Sequence, residues 1–420
     1  MPHDANGSTY SKVDISSLTF WQKPFDEREK SFAKLRAEDP VSWNAPLEQP
    51  RGTPPGQGSE GYWAVTRAKD INFVSQTTDL FISGKGLFYE PIPLELQQLL
   101  GFIIAMDAPR HTAYRQLFMS AFTPRAIARL NAEIVERARK IVDNLISAGN
   151  IDFVHSCSRL LPMQTISDML GVPPSEQEEV ARMANVLAGA DDDEFRGAQN
   201  PMEARRAAFE YLRSVGMSVA EHRRRQPADD MMTSLVQANI EGHTLTDDDI
   251  GSFMVQMAAA GNDTTMQTTS HTMISLARNP DQRDWLMEDF DARIGNAIEE
   301  FIRHATPISA FSRTVVKDAE INGISIAEGD KVVMFYCSGN RDPEVCTSPE
   351  KFDLSRKKSP HVAFGGGGPH FCLGAGIARA QLRALFGQLL SRIPKMDVGE
   401  PEYLVSFTIN GVKRLPVHIQ

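Results

Sequence analysis

The stretch from Thr246 to Pro280 constrains the fold more than any other. Thr246 is a good helix N-cap, and Asp247, Asp248 and Asp249 suit the positive end of the helix dipole. The pattern then runs unbroken to Asn279-Pro280, where proline stops it. That is about 33 residues, or roughly 50 Å at 1.5 Å per residue. A helix this long must cross most of a domain, so the remaining elements have to be built around it. Helical periodicity also marks Arg125–Ile146, Ser175–Leu187, Ala204–Arg225, a helix ending near His304, and a last one from Cys372 to about Ile393. Strand signals are fewer. Gly61–Val65 is one, and after His304 come short strands around turns at Asn322-Gly323 and Glu328-Gly329-Asp330, with a buried strand over Lys331–Tyr336. The acidic run Asp191-Asp192-Asp193-Glu194 reads as a solvated loop, and Pro54-Pro55-Gly56 as a turn. The outline is mainly α with a small β region, a single domain over residues 1–420.

Composition narrows the function classes. A formal net charge of -10 argues against a nucleic-acid binder. Four cysteines, with no CxxC pair and no zinc spacing, argue against a disulfide scaffold and for a reducing, cytoplasmic setting. Met1 to Ser17 is polar and offers neither a signal core nor a membrane anchor.

Chemistry concentrates at Phe364-Gly365-Gly366-Gly367-Gly368-Pro369-His370-Phe371-Cys372-Leu373-Gly374. Glycines admit φ > 0 and let backbone approach a large flat ligand. A cysteine thiolate behind such a loop is a strong donor to a metal, and as an axial haem ligand it favours O–O cleavage. A phosphate-cradling loop or an inert buried cysteine would also suit these residues, although no Gly-Lys-Ser/Thr follows to complete a P-loop.

Three other constellations stand out. Ala260-Gly261-Asn262-Asp263-Thr264-Thr265 interrupts the long helix with a glycine that costs about 1 kcal/mol relative to alanine. Close approach of a flat ligand would offset that cost, and an acid followed by threonine beside a local distortion suits proton delivery. A helix-packing glycine with solvated polar neighbours is the plainer alternative. Glu300 and Arg303 are an i,i+3 pair, which alone reads as a surface contact. Asp107-Ala108-Pro109-Arg110-His111 opens a helix at Asp107 or Ala108 with Pro109 in its first turn. His111 and Arg115 then share a face, which alone reads as a basic stripe on a solvated helix.

Taken together and in their order along the chain, these four stretches resemble the cytochrome P450 family, the haem-thiolate monooxygenases, from residue 107 to residue 374. Phe364 stands eight residues before Cys372, one more than is usual in that family, while Gly368, His370 and Gly374 keep the usual offsets. The resemblance implies a triangular, mainly α prism holding haem b. Cys372 would be the axial iron ligand within the loop Phe364, Gly368, His370 and Gly374. Gly261 would lie near the haem, with Thr264 hydrogen-bonding the oxygen under activation and Asp263 relaying protons. His111, Arg115, Arg313 and His370 would hold the propionates. Glu300, Arg303 and Arg356 would form a structural triad. The implied reaction is hydroxylation of a hydrophobic substrate with dioxygen and electrons from a ferredoxin and its reductase. Arg110, Arg125, Arg379 and Arg383 are candidates for a basic docking patch.

The Ser17–Trp21 start, the longer glycine loop and the ending around Gly411–Val417 resemble bacterial members acting on methyl-branched lipids and sterol side chains. Leu87, Phe88, Ile103, Ile104, Met257, Ala260, Ile308 and Phe407 are the expected substrate-pocket residues. A peroxide-driven hydroxylase and a non-catalytic haem-thiolate sensor are the alternatives, and the Asp263-Thr264 pair argues against both.

Overall fold

The spine of the molecule, in the computed structural model, is the helix Asp247–Arg278, 32 residues long. The structure describes residues 9–48, 60–90, 92–120, 124–190, 192–240, 242–393 and 395–420. Thr246 and Asp249 cap the spine reciprocally. The Thr246 hydroxyl accepts from the Asp249 N–H at 3.1 Å, and the Asp249 carboxylate accepts from the Thr246 N–H at 2.9 Å. The helix is buried along most of its length although rich in threonine. Four of its hydroxyls are satisfied by back-bonding to the preceding turn: Thr264 to the Ala260 carbonyl, Thr268 to Thr264, Thr269 to Thr265 and Ser270 to Met266, at 2.8 to 3.0 Å, whereas Thr272 Oγ1 has no partner among the described residues. No break interrupts the helix near Gly261, so the expected local distortion is absent.

Close helix approach explains the glycines in this region. The helix Pro201–Arg225 crosses the spine where a Cβ on Gly216 would lie 2.5 Å from Met254, and one on Gly251 would lie 2.7 Å from Arg213. Gly261 is the same device. A Cβ there would meet the Ile166 side chain at 2.6 Å, so glycine lets the helix Leu160–Met169 pack against the spine.

The largest sheet has five strands in the order Val41–Asn44, Tyr62–Val65, Lys331–Phe335, Ala310–Val315, Phe81–Ile82. Only the Tyr62–Val65 and Lys331–Phe335 pair is parallel. The mainly α outline with a small β region therefore stands.

Two local expectations are corrected. The acidic run is only partly solvated: Asp193 is exposed, but Asp192 is buried and caps the short helix Asp193–Arg196, and Lys413 Nζ reaches Asp192 and Glu194 at 3.2 Å and Glu402 at 2.9 Å. The cations that hold it lie some 220 residues away in sequence, beyond any local signal. The helix expected at Asp107 begins instead at Arg110. The Asp107 carboxylate is spent on the backbone N–H groups of Ser83 and Gly84, both at 2.8 Å. Asp191 and Pro54-Pro55-Gly56 lie outside the described residues. Among the described residues no helix is long and apolar enough to cross a membrane.

Candidate functional site

Four consecutive glycines, Gly365 to Gly368, all have positive φ, from 70° to 103°. Residues with side chains rarely adopt that conformation, which accounts for the glycine run. The run docks on the helix Ala68–Gln76 more than on any cavity. Ser75 Oγ donates to the carbonyls of Gly365 and Gly367 at 2.5 and 2.9 Å, and Gln76 Nε2 donates to that of Gly366 at 3.1 Å. A Cβ on Gly368 would lie 2.6 Å from the Ser75 carbonyl oxygen. The loop then turns back, its Cys372 N–H bonding the Phe364 carbonyl at 3.1 Å, and the helix Ala375–Arg392 starts directly behind the cysteine.

Cys372 is exposed, but to an internal cavity. Burial raises its thiol pKa, while the N–H groups of Gly374 and Ala375 and the charges of Arg115 and Arg379 pull it back. This is a sulfur that a bound cation would deprotonate.

Beside it converge four basic groups from three elements: His111 and Arg115 from the helix Arg110–Ser120, Arg313 from its strand, and His370 from the loop. The His111 and His370 rings lie 4.2 Å apart, and Ser83 Oγ is 3.3 Å from His370 Nε2. Arg115 Nη2 donates to the Phe371 carbonyl at 2.7 Å. Burial, followed by the charges of Arg313, His111 and Arg115, pushes the His370 pKa down to about 2. Fully buried Arg313 bonds its neighbour's carbonyl through Nη1 at 2.8 Å, and its Nε has no partner among the described residues. A buried guanidinium with an orphaned donor, beside a second guanidinium on Arg115 and two neutral imidazoles, calls for an anion. A cofactor carrying two carboxylates beside the sulfur fits this wall.

Behind the loop, the helix Phe290–Ala305 works with two adjacent acids. Glu300 and Arg303 are completely buried and joined by two 2.7 Å bonds. Arg356 Nε joins at 3.2 Å, so it is the third member. Arg303 also donates to the carbonyls of Asn340, Pro349 and Lys351 at 2.7 to 2.9 Å. Glu299 meanwhile holds Arg379 at 2.6 and 2.8 Å and His361 at 3.1 Å, and Arg379 lies over the Phe364 ring at 4.7 Å. Nothing local pointed to Glu299, because its partners are 62 and 80 residues away. The expected basic patch is weaker than its residue count suggests: Arg379 pairs with Glu299, Arg383 with Asp291, and Arg110 lies over the Tyr114 ring. The side chain of Arg125 lies outside the described residues.

The spine borders the same cavity as Cys372. Thr264 lines the cavity and donates to the Ala260 carbonyl at 2.8 Å. Asp263 does not line it. Its carboxyl is buried off the cavity wall, and that burial pushes its pKa up to about 7. A group titrating there can both take and give a proton at neutral pH. Its folded pKa lies above the unfolded one, so its contribution to stability is complete below about pH 4 and lost as pH rises through 7. Asp263→Asn should therefore be more stable than the parent by about 4 kcal/mol above pH 7, with the gap closing toward pH 4. Urea midpoints across that range check this; a gap that ignores pH would refute the burial account.

Phe88, Ile103, Ile104, Met257, Ala260, Gly261 and Ile308 line the cavity with Phe364 and Gly374. Leu87 and Phe407 do not: both are buried behind the wall, Phe407 edge-on to Trp21 at 5.9 Å. Ile166, Leu187, Phe253, Phe311 and Ile409 complete an apolar lining that sequence reasoning did not single out. Any core would contain such residues, so no sequence signal distinguishes them.

The Cytochrome P450 family profile matches residues 195–394. The chain is 36% identical over 409 residues to a methyl-branched lipid omega-hydroxylase of Mycobacterium tuberculosis, covering 96% of this chain and 94% of the relative. It is 38% identical over 427 residues to a steroid C26-monooxygenase of Mycolicibacterium smegmatis, covering 99% and 95%. A solved Mycobacterium marinum cytochrome P450 in complex with pseudoionone superposes with a TM-score of 0.94 at 44% identity, covering 99% of this chain and 100% of that one.

Proposed function

The chain belongs to the cytochrome P450 family and is a monooxygenase, and from that premise we propose that it hydroxylates a hydrophobic lipid, sterol or terpenoid, using haem b and electrons from a ferredoxin and its reductase. The observation that carries this reading is the placement of Cys372 in an apolar cavity beside a wall of basic groups. When bound, haem supplies dioxygen activation and attack on the C–H bond, and the protein supplies ligation, orientation and protons.

Each residue then has a task. Cys372 Sγ would bind the haem iron, its backbone N–H donating to the Phe364 carbonyl and the following helix starting directly behind it. Arg313, His111, Arg115 and His370 take the cofactor's carboxylates; guanidinium suits them because its paired N–H groups match carboxylate geometry. The Thr264 hydroxyl, on the cavity side, gives up its bond to Ala260 to donate into the cavity. Asp263, behind it, takes protons from outside and releases them at its carboxyl. The lining from Phe88, Ile104, Met257 and Ile308 keeps the cavity dry and binds the substrate by apolar contact. The names of the relatives support the substrate range.

The test is a titration of haem-loaded protein, watched in the Soret band, against fatty acids, methyl-branched alcohols, steroids and terpenes. Turnover with a surrogate ferredoxin follows. A spin-state shift, with product formed in step with NADH consumed, is the expected result. Equal product from hydrogen peroxide alone would replace the ferredoxin reading, and binding without product from either source would leave a sensor.

A further inference from the structure

Several hydroxyls on the cavity wall are already committed. Thr264 and Thr268 donate to carbonyls of the spine, and Ser406 Oγ accepts from the Ile409 N–H at 3.0 Å. Gln256 differs. Its side chain lines the cavity from the spine, among Ile103, Ile104, Phe253, Met257 and Ala260.

One end of the Gln256 amide is held. Its Oε1 accepts from the Ile103 N–H at 3.1 Å. The helix Leu94–Gly101 ends at Phe102, whose φ is 33°, and a single 3-10 turn follows over Phe102–Ala105. The first N–H groups of such a turn have no partner within it, and Gln256 satisfies one of them. The turn is fixed to the spine a second time. The Phe102 ring packs edge-on against Phe118, and Phe118 stacks on Phe253, three residues before Gln256, with ring centroids 3.9 Å apart. A backbone N–H only donates, so the amide atom that meets Ile103 is the oxygen. Nε2 is therefore turned away from that bond. It has no partner among the described residues and, unlike the buried Gln381 Oε1, it is not closed off. An amide nitrogen carries two N–H donors, and here they are offered to an apolar cavity from a fixed position.

Resting on the reading above, we propose that Gln256 sets which substrates fit and which way round they lie: Nε2 donates to a carbonyl oxygen of the substrate, and the opposite end of the molecule is oxidised. Gln256, Ala260 and Thr264 follow at four-residue steps and all line the cavity, so they form one stripe along the spine. Eight residues separate Gln256 from Thr264, about 12 Å along the helix axis. A carbonyl held at Gln256 keeps its neighbouring carbons away from the Thr264 hydroxyl and presents those further along the chain. A substrate without an acceptor leaves the donors unpaired in a dry site, which costs affinity. Arg205 is the competing donor on the wall. Gln256 is preferred because Ile103 fixes the direction of its amide. Gln381, the other amide on the stretch of wall near Cys372, lies on the helix that follows the sulfur, on the cofactor's side.

Geranylacetone and the hydrocarbon with a methylene in place of its carbonyl share one branched skeleton. Soret titration of haem-loaded Gln256→Met should show the ketone weakened about 10-fold against the parent, as for one buried polar group left unpaired, and the hydrocarbon unchanged within about 2-fold. Oxidation of the ketone, confined in the parent to the end remote from the carbonyl, should spread along the chain in the variant. Should Gln256→Met fold poorly, the parent decides: the infrared carbonyl stretch of bound, isotope-labelled geranylacetone should lie below its frequency in hexane. A normal Soret band with both ligands weakened equally in Gln256→Met overturns the proposal, as does an unshifted carbonyl stretch. A ketone preference that survives Gln256→Met and is lost in Arg205→Gln overturns it too. Absence of any Soret band in the parent would instead overturn the haem-thiolate reading, and this inference with it.

Discussion

Cys372→His will abolish the thiolate signature of the reduced carbonyl complex and take turnover to background. No other sulfur can substitute. Cys157, Cys337 and Cys346 are buried elsewhere, and burial pushes the Cys337 thiol up to about 12 and the Cys157 thiol higher still. Cys372 also pays for desolvation, but two backbone N–H groups, Arg115 and Arg379 oppose it, and it alone of the four opens on the cavity. The start of the helix Ala375–Arg392 adds a positive dipole end beside the sulfur. Carbonyl difference spectra of the variant check this, with Cys157→Ser as the control that should change nothing. A retained signature in Cys372→His would remove the ligand assignment.

The second large effect is on stability. Arg303→Ala leaves Glu300 buried with its main partner gone, and Glu300→Ala leaves Arg303 likewise. Breaking a buried pair from one side costs about 3–5 kcal/mol, because the remaining charge is uncompensated. Glu300 would retain only Arg356 and the Asp353 N–H at 3.0 Å. Arg303 would still reach three carbonyls, so Glu300→Ala should be the milder of the two. The double variant Glu300→Leu/Arg303→Met should cost less than the sum of the singles. Denaturant midpoints and the fraction of protein loaded with haem measure both. A single variant costing under about 1 kcal/mol would show that the pair is no more than a surface contact.

What the sequence made legible was local. The spine was readable from Thr246, the acids of its first turn and Pro280, because caps and breakers act over a few residues. The cysteine loop was readable for the same reason. Burial was not. Glu300 and Arg303 alone look like a helix-surface pair, and only the carbonyls of Asn340, Pro349 and Lys351 place them inside. Gly261 lines the cavity as well as leaving room for Ile166, 95 residues earlier in the chain, and nothing local announced that helix contact. In each case the deciding partner lay far away in sequence.

The run Gly365–Gly368 traces backbone of the opposite handedness to most of the chain, with a neighbouring helix pressed against it. Chirality therefore leaves this corner almost no latitude in the kind of residue it can hold. Its tolerance for change lies in length. Shortening the stretch by one should move the Cys372 sulfur, whereas exchanging a glycine for alanine should strain the loop against the helix Ala68–Gln76 first.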